Sequence, residues 1–360
     1  MKQSKMDWAQ GLGCLVVLVG VGTASLAVTA MNKPVSSVAL SGAAPGSGGQ
    51  SMGATPTPAL LVLSKVEGAL AIVDPVTLKV VAKVPTGAVP HEVAASPDGK
   101  WAVVTNYGAE QSGTTLSAID LMAQKEMHRV DILPLRSPHG IVASQDGKFI
   151  FTAEGSNAIA SYDPAKNEVG AWSMITSQNR THMVVETKAG TMLFTANGGS
   201  NSVTAFSFDA KTKKWSTAQI AVGKGPEGID MSPDEKEVWA ANSGDGTVSM
   251  IDTASKRVTG TLDFHTKRSN RLKFTPDGKT VLISDLGAGD LVVVDVATEK
   301  EVKRIHLGKS VEGILVQPDG LRAFVAVTPE NKVAVVDLKK LDVTTTFAVG
   351  NEPDGMAWAK

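Results

Sequence analysis

An aspartate closes a short apolar run seven times along this chain of 360 residues: Asp74 after ALAIV, Asp120 after LSAI, Asp163 after IASY, Asp209 after TAFSF, Asp252 after VSMI, Asp295 after LVVV and Asp337 after VAVV. The intervals of 46, 43, 46, 43, 43 and 42 residues set one supersecondary unit per repeat. The unit is clearest over residues 226–264, where GIDMS, EVWAA, TVSMI and RVTGTL have strand length and mostly alternate. Turn-forming clusters separate them. A second marker, the hairpin SPDGK at Ser96, returns as SQDGK at Ser144, SPDEK at Ser232, TPDGK at Thr275 and QPDGL at Gln317. Proline and glycine at these positions suit a type I turn.

Four strands per 40–50 residues predict the blades of a propeller, since each small sheet must bury both faces against neighbours. The chain ends set the number. Residues 60–84 supply three strands without a first one, and PDGMAWAK at Pro353–Lys360 stops after one strand. The expected fold is therefore an all-β, seven-bladed β-propeller of four-stranded antiparallel blades, its last blade closed by the C-terminal strand with three N-terminal strands. Such a seam leaves no unpaired edge. The expected boundaries are 1–30 for a signal peptide or anchor, 31–58 for a linker and 59–360 for the propeller.

The phrases PHEVAASPDGKWAVVTN, LSAIDLMAQK and PEGIDMSPDEKEVWAAN resemble the YVTN-type β-propeller repeat family, through VVTN at Val103–Asn106 and its cousins FTAE, FTAN and WAAN. The resemblance covers roughly residues 59–360 and implies a secreted or surface propeller. It also implies a fold shared with lactonases and lactonizing enzymes, with no matched catalytic motif.

Lys2 and Lys5 precede the apolar run 12–28, and Val28-Thr29-Ala30 offers a small-residue cleavage site, which predicts export to the periplasm or beyond. The run is also near the lower limit of a membrane span, so an uncleaved anchor is the alternative. Residues 32–58, rich in Ser, Gly, Ala, Pro and Thr, read as a flexible tether. Cys14, the one cysteine, falls inside the leader, so a cleaved chain has no thiol and no disulfide. The net charge of −1 gives no electrostatic basis for binding nucleic acid or an anionic membrane. The amino terminus is then the only expected membrane contact, and a monomer is expected.

The residue after the one that opens each first strand is, in order, His91, His139, His182, Glu227, Asn270, Glu312 and Asp354. Three of the six histidines share this one repeat position, on consecutive blades. A purely structural position would keep one residue type, as the closing aspartates do. Neighbouring imidazoles at the rim of a narrow channel suit a transition metal, zinc or copper foremost, with His91, His139, His182 and Glu227 as ligands. A water-filled polar channel and metal-free general-base chemistry are the other two readings of the same residues.

Strand-two ends at the same mouth add Asn106, Tyr107, Glu154, Asn197, Asn242 and Asp285, and Arg136, Arg180 and Arg271 flank the opening positions. Asparagines there serve turns as readily as ligands. Arginines beside histidines suit a small anionic molecule. With Glu312 and Asp354, these residues make up the candidate ligand-binding set. His128, His265 and His306 and the clusters KTKK and HTKR read as surface, and Trp101 and Trp239 as packing between blades. The chain has no GxSxG elbow between a strand and a helix, the string GQSMG at Gly49–Gly53 falling in the linker, and no P-loop, dinucleotide, HExxH or CxxCH motif.

The expected function is thus an exported binding module whose channel mouth takes a metal ion, a small ligand or a protein partner. A metal-dependent hydrolase or lyase of lactonase-like type is the first alternative, with Glu154 or Asp354 moving the proton. A periplasmic metal carrier is the second.

Overall fold

The computed structural model describes residues 53–360, in which seven four-stranded antiparallel sheets form a seven-bladed propeller. The leader and most of the linker lie outside the described residues. Of the linker, residues 53–58 are described, and here the Thr55 hydroxyl donates to the Leu121 carbonyl while the Gln124 amide donates to Gly53 O at 2.8 Å. Among the described residues no helix is long and apolar enough to cross a membrane.

Blade 1 is the seam. Pro353–Ala359 pairs with Ala59–Ser64, followed by Ala69–Val73 and Val80–Pro85, and the joint runs in register from Ala59↔Ala359 to Val62↔Met356 and, past a bulge, to Ser64↔Pro353. Blades 2 to 7 begin their first strands at Pro90, Pro138, Thr181, Pro226, Ser269 and Ile314 and run outward in chain order. Closing the ring with the last strand satisfies the backbone of both termini and stabilises the circle without a covalent bond.

The core is a set of wedges between blades. Leu61, Leu63 and Ile72 of blade 1 pack with Val93, Val104 and Ile119 of blade 2. Trp239 of blade 5 is fully buried, edge-on to Phe274 of blade 6 at 5.4 Å, which is the packing role expected of it. Inner strands therefore read as continuous apolar runs, while outer strands such as Arg257–Asp263 are largely exposed. The closing aspartates accept backbone N–H bonds two or three residues on in all seven blades. They belong to the turns.

Two backbone features shape the channel mouth. One extra residue interrupts the inner pairing just after the strand opens, as between Pro90 and Glu92, Thr181 and Val184, and Pro226 and Gly228. Such a bulge re-aims the side chain it carries, and the opening residues stand on it. Glycine follows in four blades because the neighbouring first strands nearly touch: a Cβ on Gly228 would lie 2.4 Å from Asn270 O, and one on Gly355 2.3 Å from His91 O. The opening side chains are thereby drawn into one cluster.

Candidate functional site

All seven opening residues gather at one mouth, linked through ring contacts, hydrogen bonds and ion pairs. His91 and His139 lie 4.8 Å apart between ring centroids, and His139 and His182 lie 3.8 Å apart. Tyr107 packs on both His91 and His139, at 4.8 and 5.5 Å. His91 Nδ1 faces Asp354 at 3.3 Å, and Lys65 bridges Asp354 at 3.5 Å and Glu312 at 2.6 Å. On the other side Asn270 donates to Glu227 at 2.7 Å.

Threonines of the second strands fix this arrangement. The Thr105 hydroxyl donates to His139 O and that of Thr152 to His182 O, each at 2.7 Å across a blade boundary. The threonine of VVTN thus pins the next blade's histidine. The asparagine has a different partner: Asn106 accepts from Gly87 N at 3.0 Å, Asn197 bonds Thr181, Ser202 and Thr204, and Asn242 bonds Thr247 and Ser249. Asp285 accepts from the backbone N–H groups of Lys267 and Arg268. These four side chains hold loops and neighbouring hydroxyls, and Asn242 Oδ1 alone is buried without a partner.

Glu154 behaves otherwise, and the strand register explains why. Ala153 pairs with Pro138 as Asn106 pairs with Pro90, so Glu154 matches Tyr107 and not Asn106. In the seam blade Ser64 pairs with Pro353, which makes Lys65 the third member of that set. One residue beyond the loop-holding position, Lys65, Tyr107 and Glu154 turn into the mouth on three consecutive blades. The sequence reading aligned Glu154 with the asparagines and missed Lys65.

His139, Glu154 and His182 are all buried, and one ligand atom from each lies within 4.8 Å of the others. Among the described residues these three could hold a metal, with Glu154 in the place expected of His91 and Glu227. Glu227 meets His182 through its backbone carbonyl, 3.3 Å from Nδ1. With Nδ1 donating there, the Nε2 lone pair faces Glu154 Oε2 at 3.9 Å. Glu154 Oε1 is occupied, accepting from Tyr107 Oη at 3.2 Å and Arg180 Nε at 3.1 Å. Glu154 Oε2 and His139 Nδ1 are buried with no hydrogen-bond partner, an arrangement that costs about 1–3 kcal/mol for each such group.

Burial holds the His139 imidazole well below its ordinary range, with His182, His91 and nearby arginines adding to the effect. The same burial, with Arg271, lowers His182 to about 4 against the pull of Glu154 and Glu227. Both rings are neutral at pH 7, the state a metal needs. Across the mouth, burial and then Asp354 push Glu312 up to about 7 against Lys65. Burial also opposes ionisation of Asp354, but Lys65, His91 and Arg271 outweigh it and hold the carboxyl below the usual range.

Below the cluster Arg271 crosses the channel to Glu92, with Nε and Nη2 donating to Oε1 at 3.1 and 2.8 Å. Both stand at the repeat position that is glycine in four other blades, which leaves room for the span. Glu92 escaped the sequence reading. Arg271, expected near a ligand, is buried and committed to this pair, and the channel continues beneath it as a cavity of about 370 Å³ open to the opposite end. Arg180 is half-exposed at the rim, as is Arg268, which donates to Ser243 at 3.1 Å and to Glu227 at 3.3 Å. Arg268 lies in the HTKR cluster read as surface, and its reach into the mouth corrects that reading. Arg136 points to solvent and bonds through its backbone. His128, His265 and His306 lie on or beside outer strands, away from the mouth.

The sequence matches the family model for YNCE-like β-propellers over residues 17–219 and that for lactonase, seven-bladed β-propellers, over residues 151–355. The chain belongs to these propeller families. No curated protein matches it. Among solved structures, this YNCE-like, lactonase-type propeller is similar to a candidate 6-phosphogluconolactonase of Bacteroides uniformis, with 14% identity, TM-score 0.72 and coverage of 84% of this chain and 99% of that one. The corresponding protein of Bacteroides fragilis gives 15%, 0.70, 85% and 99%. Kuenenia stuttgartiensis hydrazine synthase gives 18%, 0.63, 74% and 89%. Identities this low show the propeller fold alone.

Proposed function

We propose that this propeller is an exported binding module that holds a divalent transition metal, zinc or copper foremost, at His139, Glu154 and His182, and takes a small anionic ligand beside it. The buried, unpartnered Glu154 Oε2 next to two neutral imidazoles carries the reading. Two nitrogens and one carboxylate oxygen suit such an ion and leave further positions for a ligand. Tyr107 and Arg180 orient the carboxylate, and the Glu227 carbonyl fixes the His182 tautomer. The half-exposed guanidiniums of Arg180 and Arg268 give the mouth its affinity for anions. Export rests on the leader at 1–30, and the YVTN-type resemblance accords with a secreted binder. A protein partner at the mouth and a periplasmic carrier role use the same residues.

Elemental analysis of protein purified without chelator, compared with a His139→Ala/His182→Ala variant, tests the site. Near-stoichiometric metal is expected in the parent and none in the variant. Tyr107→Phe is expected to weaken affinity about 10–100-fold. Failure of the parent to take up zinc, copper or iron on reconstitution would sink the metal reading.

The match to the lactonase family over 151–355, which contains Glu154 and His182, favours a metal-dependent hydrolase as the second reading. Metal-dependent opening of a lactone by the parent, lost in Glu154→Gln with metal retained, would move it to first place.

A further inference from the structure

Blades 3 and 4 part at their outer edge into a cleft of about 360 Å³, within the size range of small-molecule sites and remote from the histidine mouth. Its wall is aromatic. Trp172, on Glu168–Ile175, and Trp215, on Lys214–Ala221, face each other at 5.9 Å with a 40° tilt, and Phe208 backs Trp215 at 5.3 Å. Of the seven outer strands only these two carry tryptophan, and they are neighbours. The others are dominated by charged, threonine and aliphatic residues, so packing on an outer strand does not require an indole. Both indoles remain half-buried.

Polar groups share the cleft. Ser161 is 2% exposed, lines the cleft, and its Oγ has no hydrogen-bond partner. A buried hydroxyl so placed is under-satisfied unless something in the cleft bonds it. Glu186 accepts from Ser144 Oγ at 2.6 Å, and burial pushes its carboxyl up. Asp146 pairs with Lys148, and Lys188 Nζ donates to Pro233 O at 2.6 Å. Two carboxylates and two ammoniums leave the lining without net charge.

We infer that this cleft binds a neutral saccharide. Indole faces accept the apolar C–H face of a pyranose ring while its hydroxyls reach Ser161 and Glu186. The charges of the lining are already engaged, Lys148 with Asp146 and Lys188 with the Pro233 carbonyl, so an ionic ligand would have to displace those partners. Two tryptophans near carboxylates also resemble a cage for a quaternary ammonium, but the two lysines cancel the field such a cage needs.

Saturation-transfer NMR on the full chain, with cellotriose, maltotriose and triacetylchitotriose as probes at millimolar concentration, tests the inference. At least one trisaccharide is expected to receive saturation. Its affinity should fall about tenfold or more in Trp215→Ala and in Ser161→Val, and stay unchanged in His139→Ala/His182→Ala, which separates this cleft from the metal reading. Trp215→Phe keeps the packing on Phe208, so a folded variant with weakened binding is available if the alanine variant does not fold. No transfer to any of the three sugars, binding undiminished in both Trp215 variants, or binding of tetramethylammonium in their place would each overturn the inference.

Discussion

The two ends of the third strands use their repeat positions in opposite ways. At one end stand seven aspartates, each accepting backbone N–H bonds in its own turn. Toward the other end, the seven opening positions hold three imidazoles, three carboxylates and an amide, and these side chains bond between blades. A residue that serves its own blade is under the same local demand seven times and stays uniform. One that serves the ring is set by its neighbours and diverges. Variants that cut between-blade contacts should therefore cost more than variants that cut contacts within a turn.

The sharpest cut is Arg271→Met. It strands the Glu92 carboxylate in the channel and should destabilise the propeller by about 3–5 kcal/mol. The double variant Glu92→Met/Arg271→Met removes both charges and should recover most of that loss. Urea denaturation of the parent, of Arg271→Met and Glu92→Met singly and of the double variant gives the coupling directly. If the single and double variants unfold alike, the pair does not hold the blades and the comparison loses its strongest support.

A second cut uses pH. Burial raises the Glu312 carboxyl to about 7 from an ordinary 4.5, so between those values the folded chain keeps a proton that the unfolded chain has released. The contribution of this group is thus complete below about 4.5 and is lost as pH rises through 7, at up to about 1.4 kcal/mol per pH unit. Glu312→Gln cannot ionise, so its melting temperature relative to the parent should rise between pH 5 and 8. A difference that is flat across this range would mean that Glu312 is already ionised beside Lys65.

How far the sequence reaches follows from the same contrast. Blade number, the split seam and the seven opening residues were all legible because period and turn chemistry are local properties, repeated seven times. Glu154 was noticed but misaligned: blade 3 ends its second strand on Ala153, and a slip of one residue exchanges a loop-holding side chain for one that faces the mouth. Lys65 stood at the same register position in the blade that is split across the termini, where the repeat is hardest to align. Glu92 and Arg271 replace a glycine of other blades, but nothing local shows that they meet across a gap of 179 residues. Asn106, Asn197, Asn242 and Asp285 read equally as turn or ligand residues, and only their partners separate the two.

The mildest variant tests the uniform end. Asp163 lies in blade 3, the blade that carries His139 and Glu154, and its Oδ1 accepts from the backbone N–H groups of Ala165 and Lys166 at 3.1 and 3.4 Å. Asp163→Ala removes two long turn bonds near solvent, where water replaces part of what is lost. The expected cost is about 0.5–1.5 kcal/mol, below either effect above. Metal uptake should not change, because the turn and Glu154 sit at opposite ends of the strand Ala158–Asp163 and the pinning threonines are untouched. Calorimetry and metal titration on the one variant check both halves. A loss of metal affinity at normal stability would mean that the closing aspartates report to the mouth through their strands, and that uniformity across the repeats is no guide to a purely structural role.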